Sequence, residues 1–321
     1  MKMGESWNMK HMRGVVLLFW LMEIAMSQSA SAQKQGAADQ WLTTPVDNKT
    51  FETFLGFFSY DKRLPFELRT IDVVEQEGIR KEHLSFQSTA SARVFANFYQ
   101  SAGAGMPKRP AVILLHGGGP AGKDLPGAKV MTELLARAGW DVLAMDMPYF
   151  GERATSLLTT FTEQEKHERL YNQPSAYLDW VTQVVKDVGR AFDLLVEERG
   201  ADPKRISLIG ESRGAVVGAI VGGAERRLAA VALLYGGHFD ALEREHLPAA
   251  CPANYIGRLS PRPLLMINGT RDTDLVKDTS VLPLYRLAKA PKLILWADTG
   301  HQLPTEEHRA ELLKWLRENV K

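Results

Sequence analysis

The pentapeptide Gly210-Glu211-Ser212-Arg213-Gly214 contains a serine that could act as a nucleophile. It follows the apolar run 206–209 and precedes a helix-forming stretch that starts near Ala215. A serine on a sharp turn between a strand and a helix takes a strained backbone, and the flanking glycines leave room for it. The turn exposes the hydroxyl, and the start of a helix favours negative charge nearby. The sequence therefore predicts Ser212 as the nucleophile of an acyl transfer.

A serine hydroxyl is a weak nucleophile at neutral pH and needs a neighbouring base. His301 follows Gly300 and the apolar run 293–296, so it lies at the carboxyl end of a predicted strand, where open α/β sheets place their sites. His308 falls in a predicted amphipathic helix and is interpreted as a surface residue. His238 follows two glycines and could line the pocket, although a structural role is favoured. We therefore predict His301 as the general base.

The imidazole in turn needs a carboxylate that holds its tautomer and stabilises the imidazolium. Asp272 and Asp274 both follow the predicted strand 264–267. Asp272 lies nearer to the end of that strand, so it is the preferred acid of the triad. Asp274 remains the alternative and is otherwise interpreted as the cap of the next segment.

An acyl-transfer site also needs hydrogen-bond donors for the oxyanion. The amide of Arg213 is one candidate, because it directly follows the nucleophile. The second is expected from the amide of Gly117 or Gly118 in His116-Gly117-Gly118-Gly119, which ends a predicted buried strand. The glycines could instead form a merely flexible loop. Phosphate binding is not indicated, because no Gly-Lys-Ser/Thr follows and the spacing does not match G-x-G-x-x-G.

The side chain of Arg213 has two interpretations. Facing the pocket, its guanidinium would favour substrates that carry a carboxylate. Turned inward, it would pair with a buried acid such as Glu211 or Glu152, and this structural role is slightly favoured. Glu211 is itself interpreted as a structural partner behind the turn. Cys251 is the only cysteine, so an intrachain disulfide is excluded, and it is interpreted as a small buried side chain.

The elements that must position these residues follow from the hydrophobic pattern. Alternation of apolar and polar residues predicts antiparallel strands with one wet face over 71–76, 79–86 and 94–99. Continuous apolar runs predict strands buried on both faces at 111–115, 141–145, 206–209, 231–234, 264–267 and 293–296. Helices are predicted over 130–138, 182–199, 215–224, 281–288 and 306–319. This alternation predicts one mixed sheet covered by helices on both faces.

Residues 155–180 interrupt the alternation, being polar and helix-favouring with several aromatic side chains. We interpret them as a small helical insertion over the edge of the sheet, a candidate lid. A second irregular stretch, 238–260, is expected to flank the same opening. No segment has the composition of a linker that would separate two domains, so residues 33–321 are predicted to form a single domain.

The chain order Ser212, Asp272, His301, together with the glycine loop, resembles the α/β-hydrolase superfamily over roughly residues 70–320. The antiparallel first strands and the segments 146–153 and 263–270 resemble its dienelactone-hydrolase and acetyl-xylan-esterase-like branch. The resemblance implies an α/β-hydrolase fold, with a mostly parallel central sheet, and hydrolysis of esters without a metal or an organic cofactor. Dienelactone hydrolases use a cysteine where this chain has Ser212, which argues against that activity.

The bulk properties limit partners and location. The net charge of +1 offers no basis for binding nucleic acid. Residues 1–32 combine a basic start, a short apolar run and Ala30-Ser31-Ala32, and predict a signal peptide cleaved near Ala32 and a periplasmic or secreted enzyme. An uncleaved anchor is the alternative, and after cleavage no stable membrane insertion is expected.

The predicted function is hydrolysis of a small-molecule carboxylic ester. The alternatives are an exported serine peptidase and a non-catalytic binding protein on the same fold.

Overall fold

A computed structural model describes residues 40–101, 108–156, 162–243 and 246–321 of the chain. The predicted signal peptide, residues 1–32, lies outside the described residues. Among the residues described, no helix is both long and apolar enough to cross a membrane.

Three antiparallel strands begin the sheet: β1 (Arg69–Gln76), β2 (Ile79–Thr89) and β3 (Ala92–Ser101). Glu77 and Gly78 join β1 to β2 with φ angles of 50° and 74°, the left-handed backbone that a two-residue hairpin requires. The sequence predicted one wet face for β1, but every residue of β1 is exposed. At this end of the sheet, where β1 is the edge strand, both of its faces are open to solvent.

The remaining six strands complete the sheet. They are β4 (Ala111–Leu115), β5 (Asp141–Met145), β6 (Ile206–Glu211), β7 (Val231–Leu234), β8 (Leu264–Gly269) and β9 (Lys292–Ala297). The last of them, predicted from the run 293–296 to be buried on both faces, is instead mostly half-buried and leaves Leu293 exposed. The strand order is β1-β2-β3-β5-β4-β6-β7-β8-β9, antiparallel up to the β3–β5 pair and parallel from there to β9. The continuous apolar runs of β4, β5, β7 and β8 are buried at every residue, as predicted.

The strand order places a crevice at the carboxyl ends of β4 and β6. From β4 the chain first moves to β5 on one side and then returns to β6 on the other side. Where successive connections leave a sheet in opposite directions, the loops diverge and open a ligand crevice. The His116–Gly119 loop follows β4 and Ser212 follows β6, so both lie at this crevice.

Helices cover both faces of the sheet. They are α1 (Asn48–Phe57), α2 (Pro126–Arg137), α3 (Glu163–Lys166), α4 (Pro174–Glu197), α5 (Arg213–Ala224), α6 (Ala253–Ile256), α7 (Leu282–Leu287) and α8 (Glu306–Asn319). Short 3-10 helices span Gly122–Asp124, Gly151–Arg153 and Pro248–Ala250, and π-helices span His167–Tyr171 and Lys277–Val281. One apolar core joins the sheet to α4 and α5, and a second joins its other face to α2 and α8.

The long helix α4 begins eight residues earlier than predicted, at Pro174 instead of Thr182. Proline is well tolerated in the first turn of a helix, where its missing N–H loses no intrahelical bond. Tyr177 and Trp180, which we assigned to the candidate lid, therefore belong to α4 and are buried in the core. The described part of the insertion that remains before α4 consists mainly of residues 162–171, which we call the roof segment.

Candidate active site

Ser212 occupies the turn between β6 and α5 with a φ of 52°, a backbone conformation that is strained for a serine. Its amide donates to the carbonyl of Leu234 on β7 at 2.8 Å, which ties the turn to the neighbouring strand. A side chain at Gly210 would collide with the Gly214 carbonyl, and one at Gly214 would collide with the Leu115 carbonyl. The two glycines are therefore sterically required, as the pentapeptide indicates.

The structure brings Ser212, His301 and Asp272 into one hydrogen-bonded chain. Ser212 Oγ lies 2.8 Å from His301 Nε2, and His301 Nδ1 lies 2.8 Å from Asp272 Oδ2. The other carboxylate oxygen of Asp272 accepts the amides of Asp274 and Leu275, at 2.9 and 3.0 Å. Since a carboxylate only accepts hydrogen bonds, Nδ1 carries the proton and Nε2 faces the serine hydroxyl with its lone pair.

The electrostatic surroundings of His301 favour its protonated form. Burial alone would lower its pKa, but the hydrogen bond and the negative charge of Asp272 outweigh burial, so the pKa lies above the usual 6.5. Asp274 and Asp240 add smaller effects in the same direction. Burial also raises the pKa of Glu211 to about 7, and the charge of His301 opposes that rise.

These shifts predict the pH dependence of any reaction that uses His301 as a base. Protonated His301 cannot accept the proton of Ser212, so kcat/KM should fall as the pH drops through a midpoint above 6.5. The carboxyl group of Glu211 titrates in the same range, so Glu211→Gln is the control variant. Its kcat/KM should decline with falling pH as that of the wild type does. A flat profile between about pH 5 and 8, measured with an uncharged ester, would rule out His301 as the base.

Asp274, the alternative acid, lies outside the hydrogen-bonded chain of Ser212, His301 and Asp272. It is exposed at the rim of the crevice, and no hydrogen bond joins its carboxylate to His301 among the described residues. It does not cap the next helix either, because Val276 is the N-cap of Lys277–Val281. The two aspartates thus differ in their contacts: Asp272 is buried and hydrogen-bonded to the imidazole, whereas Asp274 is exposed and lies near His301 without a hydrogen bond to it.

The glycine loop after β4 is oriented by a buried histidine. Met147 N–H donates to His116 Nε2 at 3.0 Å, so Nε2 is the acceptor and Nδ1 carries the proton. Nδ1 lies 2.6 Å from the Gly117 carbonyl and donates to it. Because the peptide is planar and trans, the amide of Gly118 points away from His116. Burial lowers the pKa of His116, which keeps the ring neutral in this arrangement.

The predicted oxyanion donors lie around the serine. A β-carbon placed on Gly117 would be 3.4 Å from Ser212 Cβ, so the loop is packed against the nucleophile turn. Gly118 lines the cavity beside Ser212. Arg213 is the first residue of α5, so its amide has no acceptor within the helix. These positions fit the amides of Arg213 and Gly118 as the two donors.

The cavity over Ser212 has a volume of about 290 Å³ and a markedly charged lining. Its walls come from the glycine loop, the roof segment, the nucleophile turn and the loops after β7 and β8. The charged residues that line it are Glu163, Lys166, Arg213, Asp240 and Asp274.

The side chain of Arg213 is held by acids that the sequence analysis did not identify. Its guanidinium pairs with Glu243 and lies 3.5 Å from Asp240, whereas we had named Glu211 or Glu152. It also stacks 3.7 Å from the centre of the Tyr171 ring. The two carboxylates lie on the loop after β7, which the sequence marks only as irregular. Because its charge is compensated, the structural interpretation of Arg213 fits better than recognition of a substrate carboxylate.

The other candidate residues lie away from the chemistry. His238 is buried with Nε2 3.2 Å from the sulfur of Cys251, and burial lowers its pKa to about 3. Cys251 is fully buried, as predicted, and burial raises the pKa of its thiol to about 12. His308 lies in the first turn of α8, 2.7 Å from the hydroxyl of Thr305.

The roof segment contributes residues that sequence reasoning missed. Thr162 caps α3 by accepting the amide of Glu165, and its hydroxyl donates to the Glu165 carboxylate. The segment then presents Lys166 and Tyr171 to the cavity. The T-x-x-E pattern could have located the helix. No sequence signal marks which of its side chains face the serine.

Solved structures of other proteins share the fold of this chain. No family model matches the chain, and no curated protein matches it. Among solved structures, an acetyl xylan esterase from Paenibacillus sp. R4 covers 88% of this chain and 99% of its own, at a TM-score of 0.63 and 14% identity. Acetyl xylan esterase 1 from Thermoanaerobacterium sp. JW/SL YS485 covers 86% of this chain and 95% of its own, at a TM-score of 0.63 and 16% identity.

A cold-adapted esterase from an Arctic intertidal metagenomic library covers 82% of this chain and all of its own, at a TM-score of 0.59 and 19% identity. At such low identities the likeness concerns the fold alone. The chain has the α/β-hydrolase fold, which confirms the predicted fold class.

Proposed function

We propose that this α/β-hydrolase-fold protein hydrolyses carboxylic esters through an acyl-enzyme formed on Ser212. The observation that carries the proposal is the continuous hydrogen-bonded chain from Ser212 through His301 to the buried carboxylate of Asp272. A serine, a histidine and an aspartate in this order of contacts can perform acyl transfer whatever their order in the chain. The esterase names of the structural neighbours support the same reaction class.

The chemistry proceeds in two halves. His301 takes the proton of Ser212 as the hydroxyl oxygen attacks the ester carbonyl, and the amides of Arg213 and Gly118 stabilise the oxyanion. The tetrahedral intermediate collapses, and the alcohol leaves with the proton from His301. Water then attacks the acyl group as His301 takes its proton, and the carboxylic acid departs while His301 returns that proton to Ser212 Oγ. Asp272 remains ionised and stabilises the imidazolium.

A fluorophosphonate probe tests this proposal directly. We expect one covalent adduct, mapped by peptide mass spectrometry to Ser212, because only an activated serine attacks the phosphorus. Denatured protein is the control and should not react. A native protein that stays unlabelled would favour the alternative of a non-catalytic binding protein. Labelling together with cleavage of peptides but not of esters would favour the serine peptidase.

Substrate and location are part of the proposal. Acetylated carbohydrates are candidate substrates, because two structural neighbours are acetyl xylan esterases. Nitrophenyl esters of increasing acyl length, followed by acetylated carbohydrates, would identify the acyl and alcohol groups. The signal-like residues 1–32 support export to the periplasm or the medium. N-terminal sequencing of the protein recovered from the producing cell tests cleavage after Ala32.

A further inference from the structure

Lys166 is a lysine buried above the glycine loop. It is the last residue of α3, and only 3% of its surface is exposed. Its ammonium donates to the carbonyl oxygen of Gly118 at 2.8 Å and pairs with the carboxylate of Glu163. A buried ammonium is costly unless its charge is paired and its protons are hydrogen-bonded. Removing it would therefore leave both partners without a contact that the structure maintains.

The Lys166 hydrogen bond acts on a peptide that has little stiffness of its own. The Gly118–Gly119 peptide joins two glycines, whose backbone torsions are freer than those of other residues. On the preceding peptide, His116 holds the carbonyl of Gly117. Two buried side chains, one from the residue that follows β4 and one from the roof segment, thus fix two successive carbonyls of the glycine loop.

Rotation of this peptide would oppose the proposed chemistry. Gly118 lies beside the cavity that contains Ser212. A carbonyl turned into that cavity would repel the oxyanion. The Gly118 amide that we assign as a donor belongs to the preceding peptide, whose carbonyl is held by His116, so Lys166 and His116 act on two different peptides of the same site. Oxyanion donors act well only when they are held in place before the reaction.

We propose that Lys166 is a positioning residue: by holding the Gly118 carbonyl, it makes the geometry of the oxyanion site depend on the docked roof segment. This inference rests on the proposed ester hydrolysis. His167 Nε2 lies 3.3 Å from Asp240, and Arg213 stacks on Tyr171, so further contacts hold the roof segment against the cavity. Glu163 neutralises the ammonium, so Lys166 acts through geometry rather than through net charge.

The test compares Lys166→Met with Lys166→Arg and with Lys129→Met. Lys129 is an ion-paired lysine on α2, outside the cavity, and its loss should leave activity unchanged. Since losing a whole oxyanion donor costs about 10²–10³-fold in kcat, Lys166→Met should cost about 10–100-fold, with KM changed only severalfold. The affinity for a trifluoromethyl ketone, which forms an oxyanion adduct with the serine, should fall in parallel. Lys166→Arg should keep most of the wild-type kcat and most of the affinity for the ketone, because arginine can donate to the same carbonyl.

Several outcomes would overturn the inference. One is a folded Lys166→Met protein with kcat within twofold of wild type. Another is a fall in kcat without loss of trifluoromethyl ketone affinity, which would indicate only a structural role. If Lys166→Met does not fold, Lys166→Arg decides: a folded arginine variant with strongly weakened ketone binding contradicts the proposal. Labelling of the wild-type protein at Ser212 by the fluorophosphonate probe distinguishes failure of this inference from failure of the proposed function. An unlabelled wild type would refute the ester hydrolysis itself.

Discussion

Ser212→Ala is expected to lower kcat for ester hydrolysis on the order of 10⁵-fold, with little change in KM. The hydroxyl oxygen is the atom of this side chain that forms the acyl-enzyme, and His301 Nε2 lies 2.8 Å from it. What activity remains would come from the oxyanion donors and from binding, which still stabilise attack by water. Stopped-flow or steady-state assays with a nitrophenyl acetate substrate measure the loss.

Ser207 offers a matched control for this variant. It lies on β6, the strand that leads to Ser212, and its buried hydroxyl has no hydrogen-bond partner among the described residues. Ser207→Ala therefore removes a serine hydroxyl from the same strand without touching the chemistry, and activity should stay close to wild type. Near-normal esterase activity in Ser212→Ala would refute the proposed mechanism.

Asp272→Asn is expected to lower kcat about 10⁴-fold, the second-largest effect. An asparagine has nearly the same shape, so the fold should persist. Its amide, however, cannot supply the negative charge that raises the pKa of His301 and stabilises the imidazolium. If the amide nitrogen faces His301 Nδ1, the ring adopts the tautomer whose Nε2 carries a proton and cannot act as the base.

Asp274→Asn is the control for this second prediction. Its carboxylate is exposed and acts on His301 only through a weaker charge effect, so a loss of severalfold at most is expected. The midpoint of the pH profile should shift down more in Asp272→Asn than in Asp274→Asn. If the two variants ranked in the opposite order in kcat, Asp274 would replace Asp272 as the proposed acid.

The secondary structure around the site follows closely from local sequence patterns. Continuous apolar runs predicted β4, β5, β7 and β8, because a strand covered on both faces must be apolar throughout. The start of α4 was placed too late because polar residues in its first turns mask the buried Tyr177 and Trp180. The exposure of β1 depends on its place at the edge of the sheet, which its own alternation does not encode.

Ser212, His301 and Asp272 could be proposed from sequence because each follows a recognisable strand. The carboxyl ends of parallel strands meet at one edge of a sheet, so residues far apart in the chain converge there. The preference for Asp272 over Asp274 rested only on its distance from the strand end. The tertiary structure distinguishes them, since of these two carboxylates Asp272 is the one hydrogen-bonded to His301, with its other oxygen held by two amides.

By itself, the sequence determined the fold class, the serine on its strained turn and the loop of glycines, since these depend on residues adjacent in the chain. Only the tertiary structure decided what surrounds them. The bond between Lys166 and Gly118 joins positions 48 residues apart, and Arg213 meets its acids on the loop after another strand. Such contacts depend on how separate segments pack over the crevice. Hydrophobic periodicity specifies which face of a helix is buried, but it does not specify which polar groups that face contacts.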